Sequence, residues 1–307
     1  MCSSDLFTVA VGLQAGEPSL RRDDPANVQD AVAQATLALC GVRLLLVEDN
    51  EINREVAVEL LSGSGIRVEV ATNGREALEL LDREAFDGVL MDLQMPVMDG
   101  FTACRAIRRQ DRFRDLPVIA MTANAMQSDR EVALAAGMND HVAKPVDPDH
   151  LMLTLARWVH PRQRTAVQSD SCAVAEAAVE QAIPDLPGVD TVAGLKVARN
   201  DTGFYRRLLC MFRDRYADFD VHFRAAQADD DPEAAKRLAH SLKGVAANLG
   251  ANALAEAAQE LELVSLAQPE RVEAALAGLL ARLQPITAAL GELRAPLRAR
   301  ERTAVSD

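Results

Sequence analysis

A five-stranded parallel α/β unit followed by an all-helical bundle is the fold these 307 residues predict, on three observations. Between residue 42 and about residue 159, short apolar runs alternate five times with amphipathic stretches, the pattern of a parallel sheet covered by helices. From about residue 189 to residue 293 only helical periodicity remains. Between the two, residues 160–187 turn polar and Ala-rich and are interrupted by Pro161, Pro184 and Pro187.

In chain order, residues 1–40 read as an N-terminal remnant and linker, with Phe7 to Leu13 alternating like a strand. The apolar runs are 42–47, 68–71, 88–91, 118–121 and a weaker one near Val142. Leu44, Leu45, Leu46 and Val47 are apolar at successive positions, which fits strands buried on both faces. The first folded unit is therefore expected over 41–160, five parallel strands with helices on both faces. Residues 161–187 are expected to be a flexible linker with a short helix around 174–182, long enough to span roughly 30 Å.

The second unit is expected over 188–294, with a disordered tail over 295–307. Phe204, Leu208, Phe212, Phe219 and Phe223 lie at helical spacing along one long stretch, a core stripe. Leu238, Leu242, Val245 and Leu249 form a second stripe, Leu254, Ala258 and Leu261 a third, and Val272, Leu276, Leu279, Leu283 and Ile286 a fourth. Asp231-Pro232 and Gln268-Pro269 read as helix starts. Four such stripes make a helical bundle.

Composition narrows the function. Thirty-three basic and 46 acidic residues give a net charge of −13, which argues against a nucleic-acid partner, since such proteins concentrate Lys and Arg against phosphate. No apolar stretch is long enough to span a bilayer, and the N-terminus lacks a secretory pattern. The five cysteines are scattered without a CxxC pair, as expected for a reducing cytoplasm rather than a disulfide framework or a structural zinc site.

Chemistry-bearing residues fall at the strand ends: Glu48 and Asp49 after the first run, Asp92 after the third, Thr122 after the fourth and Lys144-Pro145 after the fifth. In an open parallel sheet the carboxyl ends of the strands share one crevice, so these positions converge. Each has a plain reading: a strand-terminal Asp caps the next helix, and Lys-Pro is a turn. Clustered carboxylates repel one another, and Mg²⁺, a hard cation that prefers oxygen ligands, relieves the repulsion. With such a cation and a fixed positive charge, a carboxylate can attack phosphorus. That chemistry assigns Asp92 as nucleophile, Asp49 as metal ligand, Glu48 as an outer or water-mediated ligand, Lys144 as the fixed charge and Thr122 as a hydroxyl donor to an attached phosphoryl group.

The segments Val-Glu-Asp-Asn-Glu-Ile-Asn-Arg (47–54), Met-Asp-Leu-Gln-Met-Pro-Val-Met-Asp-Gly (91–100), Met-Thr-Ala (121–123) and Lys-Pro (144–145) resemble a two-component receiver domain. The wording around Asn50 to Arg54 is similar to receivers of hybrid histidine kinases. The resemblance implies a flavodoxin-like fold, phosphorylation at Asp92, Mg²⁺ held by Asp49, Asp92 and the backbone carbonyl of Gln94, a cis Lys144-Pro145 bond and Thr122 as the switch hydroxyl. The family usually places Tyr or Phe three residues before the lysine. Here it is His141, which either fills that slot or is an ordinary semi-exposed strand residue.

In the second unit, His240 lies about 200° around its helix from Leu238 of the core stripe, and Lys243 and Gly244 share its face. A core histidine would lie on the stripe, so His240 is expected to be exposed. Gly in a helix interior costs about 1 kcal/mol relative to Ala, so Gly244 suggests a close approach there. Lys243 is expected to disfavour imidazole protonation and to attract a phosphoryl group. His-Ser-Leu-Lys-Gly-Val-Ala-Ala-Asn-Leu-Gly (240–250) resembles a histidine-containing phosphotransfer (Hpt) domain. The resemblance implies a phosphate carried on His240 and receiver docking around Gly244.

Together the resemblances imply a phosphorelay intermediate: Asp92 accepts phosphate from a kinase histidine and exchanges it with His240, which passes it to a downstream response regulator receiver. No Asp-x-Gly-x-Gly occurs, so no ATP-binding kinase core is expected in the chain. Phe7 to Leu13 is similar to the closing strand of such a core, and residues 2–6 read like a translated sequencing-adapter tail. The expectation is the C-terminal part of a hybrid sensor kinase whose parent is anchored in the inner membrane. Two rival readings are a flavodoxin-like cofactor or metal-binding protein without phosphotransfer, which lacks a Ser/Thr/Gly-rich phosphate loop here, and a DNA-binding regulator, which lacks a basic recognition helix.

Overall fold

A computed structural model describes residues 25–122, 127–161, 183, 185–231, 233–291 and 293. The first unit runs α1 (Pro25–Ala38), β1 (Arg43–Val47), α2 (Glu51–Ser62), β2 (Arg67–Ala71), α3 (Gly74–Arg83), β3 (Gly88–Asp92), α4 (Gly100–Arg108), β4 (Val118–Thr122), α5 (Gln127–Ala135), β5 (Asp140–Ala143) and α6 (Pro148–Trp158). The five strands are all parallel, in the order β2-β1-β3-β4-β5. The order reverses between β1 and β3, and the carboxyl ends of these two strands flank the crevice that such a reversal opens.

The successive apolar positions of β1 are divided by the pleat. Leu44 and Leu46 join an apolar cluster with α1, α2 and α6, while Leu45 and Val47 join a second cluster with α3, α4 and Ala133 of α5. Both faces are therefore covered, as continuous hydrophobic strands require. The helices start at side chains that satisfy free amides: Asn50 caps α2, Asn73 caps α3, Asp99 caps α4 and Asp147 caps α6.

The second unit is helical throughout: α7 (Thr191–Val197), α8 (Thr202–Tyr216), α9 (Phe219–Gln227), α10 (Ala234–Asn248), α11 (Asn252–Ala267) and α12 (Val272–Ala289). All four sequence stripes lie inward, apart from a half-buried Leu238. The long aromatic stretch is two helices rather than one, since the chain turns at Ala217 and Asp218. The stripe survives the break, because the rings of Phe212, Tyr216, Phe219 and Phe223 follow one another with centroids 5.2, 6.3 and 5.8 Å apart, the first two pairs tilted and the last stacked. The helix expected at Asp231-Pro232 begins with Glu233 as cap and Ala234 as first residue. Pro269 opens a single 3₁₀ turn that leads into α12.

The largest departure from the sequence reading is α1, in a stretch expected to be linker. Val32, Ala35 and Leu39 fall on one side of it and pack into the cluster shared with α6. Its apolar residues are mostly alanine, so its composition passes for linker. The strand expected at Phe7 to Leu13, most of the 161–187 linker with its short helix, and the 295–307 tail lie outside the described residues. Among the described residues no helix is long and apolar enough to cross a membrane.

The cluster that holds α1, α2 and α6 continues into the bundle through α8, α10, α11 and α12. Helix α2 touches both α8 and α10, so the bundle sits directly on the helix that follows the acidic end of β1.

Leu39 is fully buried. Leu39→Ala is expected to cost roughly 2–5 kcal/mol of stability, read as a lower urea midpoint. An unchanged midpoint would return residues 25–39 to linker status.

Candidate functional site

The strand ends meet as the spacing requires. Glu48 and Asp49 leave β1 just before Asn50, whose Oδ1 accepts from the amides of Ile52 and Asn53 at 2.9 and 3.2 Å. Asp92 is the last residue of β3, and its backbone carbonyl needs Gly100 beneath it, because a Cβ there would stand 2.2 Å from that oxygen. One carboxylate oxygen each from Glu48, Asp49 and Asp92 lie within 4.8 Å of one another. Lys144, after β5 and joined to Pro145 by a cis peptide, donates from Nζ to Glu48 Oε2 at 2.6 Å and to Asp92 Oδ2 at 2.7 Å. Thr122 closes β4, buried, and its carbonyl accepts from the Lys144 amide at 2.7 Å. The Gln94 amide donates to Asp92 Oδ1 at 3.4 Å.

The electrostatics follow from burial. Glu48 and Asp92 are 1 % and 2 % exposed. Loss of water pushes Glu48 up to about 8, with the Asp92 and Asp49 charges adding to the rise and Lys144 opposing it. Asp49 is raised by burial and then by Asp92, against Lys144 and His240. Burial acts to lower Lys144, yet the carboxylates of Asp92 and Glu48 outweigh it and hold the ammonium firmly charged. Three carboxylates facing one ammonium leave negative charge over, and an all-oxygen donor set of this size fits a hard divalent cation.

His240 and Lys243 occupy α10, and here the structure corrects the expected exposure. Leu242, Val245 and Leu249 fill the bundle core as the wheel predicts, but His240 on the opposite face is only 8 % exposed. The wheel locates a residue relative to its own bundle and does not register what covers the other face. Glu262 of α11 covers one side of His240, and the acidic end of the first unit's sheet covers the other. Asp49, Asp92, Gln94, Lys144, His240 and Gly244 line one small cleft. A Cβ on Gly244 would come 3.3 Å from Asn53 Nδ2 and 3.8 Å from Lys144 Cδ, so the glycine is where the two units approach.

Glu262 also changes the reading of Lys243. Lys243 Nζ donates to Glu262 Oε2 at 2.6 Å, so its charge is shared with a carboxylate instead of bearing on the imidazole alone. The other oxygen, Oε1, lies 2.8 Å from His240 Nδ1. Burial acts to raise Glu262, but His240 and then Lys243 hold it below the usual carboxylate value. An ionised carboxylate only accepts, so Nδ1 carries the proton in this contact and the lone pair of the neutral ring lies on Nε2.

Further polar contacts tie the two units. Asn50 Nδ2 donates to Tyr216 Oη at 3.0 Å and to Ser241 Oγ at 2.6 Å, Asn248 Nδ2 donates to Asn53 Oδ1 at 2.9 Å, and Arg207 pairs with Glu55 at 3.3 Å. Sequence reasoning had no access to Glu262, Tyr216 or Asn248. An acidic residue beside a core stripe reads as solvated, and an Asn at a helix end reads as a terminator. His141 stands apart: it is half-buried on β5 opposite Ala120, with Nδ1 3.6 Å from Asp140 Oδ1 and no hydrogen-bond partner.

Residues 44–156 match the model of the response regulator receiver domain, and residues 207–294 match that of the Hpt domain. The sensor histidine kinase GacS of Pseudomonas protegens is 30% identical over 79% of this chain and 26% of its own length. The signal transduction histidine-protein kinase BarA of Shigella flexneri is 32% identical over 66% of this chain and 21% of its own length. The chain thus spans about a quarter of these curated relatives. Among solved structures, the receiver domain of sensor histidine kinase PA1611 from Pseudomonas aeruginosa, described with magnesium coordinated in its active-site cleft, is 45% identical. The match covers 39% of this chain and 98% of that one, with a TM-score of 0.37.

The Glu262 pairing sets a pH dependence. A carboxylate held below its ordinary 4.5 contributes stability that is complete above that value and is lost as pH falls through the lower, folded one. Urea midpoints of wild type and Glu262→Gln are expected to differ near neutrality and to converge as pH drops below the ordinary carboxylate range. A gap that persists unchanged in acid contradicts the ionic pairing.

Proposed function

We propose that this chain, whose residues 44–156 match the receiver-domain model and 207–294 the Hpt model, moves phosphoryl groups between Asp92 and His240 as an intermediate of a phosphorelay. A receiver and an Hpt domain on one chain mark two-component phosphorelay signalling. The observation that carries the finer reading is that Asp92 and His240 line one cleft.

In the proposed sequence a kinase histidine supplies the phosphate. An Asp92 carboxylate oxygen attacks phosphorus, the donor's N–P bond breaks, and an acyl phosphate forms. The Nε2 lone pair of His240 then attacks that phosphorus, and the acyl O–P bond breaks with its electron pair returning to Asp92. Nδ1 keeps its proton, and the Glu262 carboxylate 2.8 Å away balances the charge that develops on the ring. The aspartate of a separate response regulator receiver takes the group from His240. The steps are reversible, so the same cleft can drain phosphate back to Asp92.

The donor set suits Mg²⁺, which Asp49, Asp92 and the carbonyl of Gln94 would hold, with Glu48 acting through water. Bound there, the ion supplies neutralisation of the phosphoryl oxygens. Lys144, already 2.7 Å from Asp92, holds the leaving or attacking carboxylate, and the Thr122 hydroxyl donates to the attached group. His141 is assigned to the conformational response to phosphorylation. A cytoplasmic location accords with this role, with a kinase core upstream and a receiver downstream as partners.

Incubation of the chain with a phosphorylated sensor kinase and Mg²⁺ is expected to label Asp92, as an alkali-labile product, and then His240, as an acid-labile one. Asp92→Asn abolishes both, His240→Gln accumulates label on Asp92, and EDTA stops entry. Undiminished His240 labelling in Asp92→Asn overturns the order. Gly244→Leu is expected to leave label stranded on Asp92 and to slow transfer by about ten-fold or more, because the misplaced helix loses reacting geometry.

A further inference from the structure

One amide serves the acidic site and the bundle at once. Asn53, on the first turn of α2, donates from Nδ2 to Glu48 Oε1 at 3.1 Å, and its Oδ1 accepts from Asn248 Nδ2 at 2.9 Å. The other Glu48 oxygen accepts from Lys144, which also donates to Asp92. A continuous chain of hydrogen bonds therefore runs from the end of α10 through Asn53 and Glu48 to the ammonium that holds Asp92. Asn53 itself lines the cleft between Asp92 and His240.

The polarity of this chain is fixed from its receiver end. Because Asn53 directs its Nδ2 to Glu48, it shows the bundle its oxygen, an acceptor, and a donor on α10 answers it. Asn248 does so, although it is 2 % exposed and its own Oδ1 has no partner. A buried amide left half-satisfied is a poor choice for stability, where an apolar side chain of similar shape does better. What the amide supplies is direction: it accepts one register of α10 against α2 and penalises the others. The second contact is consistent with this. Asn50 caps α2 with its oxygen and reaches Tyr216 and Ser241 with its nitrogen, so α10 is held at Ser241, beside His240, and at its last residue, Asn248.

We propose that Asn53 and Asn248 are positioning residues for transfer between Asp92 and His240, a matched amide pair that sets the register of the docked Hpt domain and ties it to the Glu48 carboxylate. The proposal rests on the transfer reading above. It places the control of transfer geometry outside the reacting groups, in two side chains that touch neither phosphorus nor metal.

The test is a double-mutant cycle on the full chain, with Asp92 phosphorylated by acetyl phosphate and Mg²⁺ and the appearance of acid-labile label on His240 followed by quench-flow. Asn53→Ala and Asn248→Ala are each expected to slow transfer about ten-fold. The double variant should be about as slow as either single one, because a contact can be lost only once. Asn248→Ala should leave acetyl phosphate labelling of Asp92 unchanged in a His240→Gln background. Asn248→Asp, of the same shape but facing acceptor with acceptor, should transfer slowly near about pH 8 and recover relative to wild type toward about pH 6, as protonation of a buried carboxyl restores the donor. Losses that multiply in the double variant, or an Asn248→Asp deficit independent of pH, overturn the pairing while leaving the relay intact. Absence of transfer in the wild type overturns the relay and this inference together.

Discussion

Three carboxylates forced together at the end of a parallel sheet, held by one ammonium, is the constraint on which the rest depends. Glu48, Asp49 and Asp92 could not share one crevice in a dry interior without Lys144, whose two short hydrogen bonds tie β1 and β3 to the segment after β5. The sheet order makes this possible, since the reversal between β1 and β3 brings their ends side by side. The arrangement is not neutral, however. Burial lifts Glu48 and Asp49 above their ordinary values, which marks a site built to be completed by further positive charge. Of the bundle's cations, Arg237 lines the cleft but is paired with Asp231, and Lys243 is paired with Glu262.

The bundle brings instead an imidazole whose proton is pinned away from the cleft. Because Glu262 holds Nδ1, the lone pair of the neutral His240 ring belongs to Nε2. Two oppositely organised sites therefore face each other, a carboxylate cluster short of positive charge and a histidine backed by negative charge. A group carrying negative charge on its oxygens and moving between them finds stabilisation at the acidic end only when a cation is there. At the histidine end, the ring's developing positive charge is met by Glu262. This pairing also has a steric consequence. The face of α10 that presents His240 is occupied by the chain's own receiver, and one helix face cannot hold two receivers at once. In the proposed relay, delivery to a second protein would therefore require the two units of this chain to separate, and the polar contacts between them are Asn50 with Tyr216 and Ser241, Asn53 with Asn248, and Arg207 with Glu55.

Much of this was legible in the sequence, for identifiable reasons. The five strand runs, the strand-terminal carboxylates, Lys144-Pro145 and the stripes of the bundle are local patterns, and local patterns survive in one dimension. The face of α10 was also legible, since Leu242, Val245 and Leu249 locate the core and His240 follows by angle. What covers that face was not. The burial of His240, the Glu262 bridge and the Asn53–Asn248 pair are contacts between segments that sequence spacing does not connect. Helix α1 was missed for the opposite reason: its pattern is local but weak, made of Val32, Ala35 and Leu39 among small and polar neighbours.

The same division separates Gly244 from Asn248, one turn further along. Gly in a helix interior is unfavourable in any context, so its presence signals an external demand, and the receiver's Asn53 and Lys144 prove to lie against it. An asparagine near a helix end is favourable or neutral in most contexts, so it carries no such signal. Residues that violate a local rule advertise function in the sequence itself. Residues that satisfy one, yet are buried with a polar atom unmatched, reveal it only when their surroundings are known, and Asn248 is of that second kind.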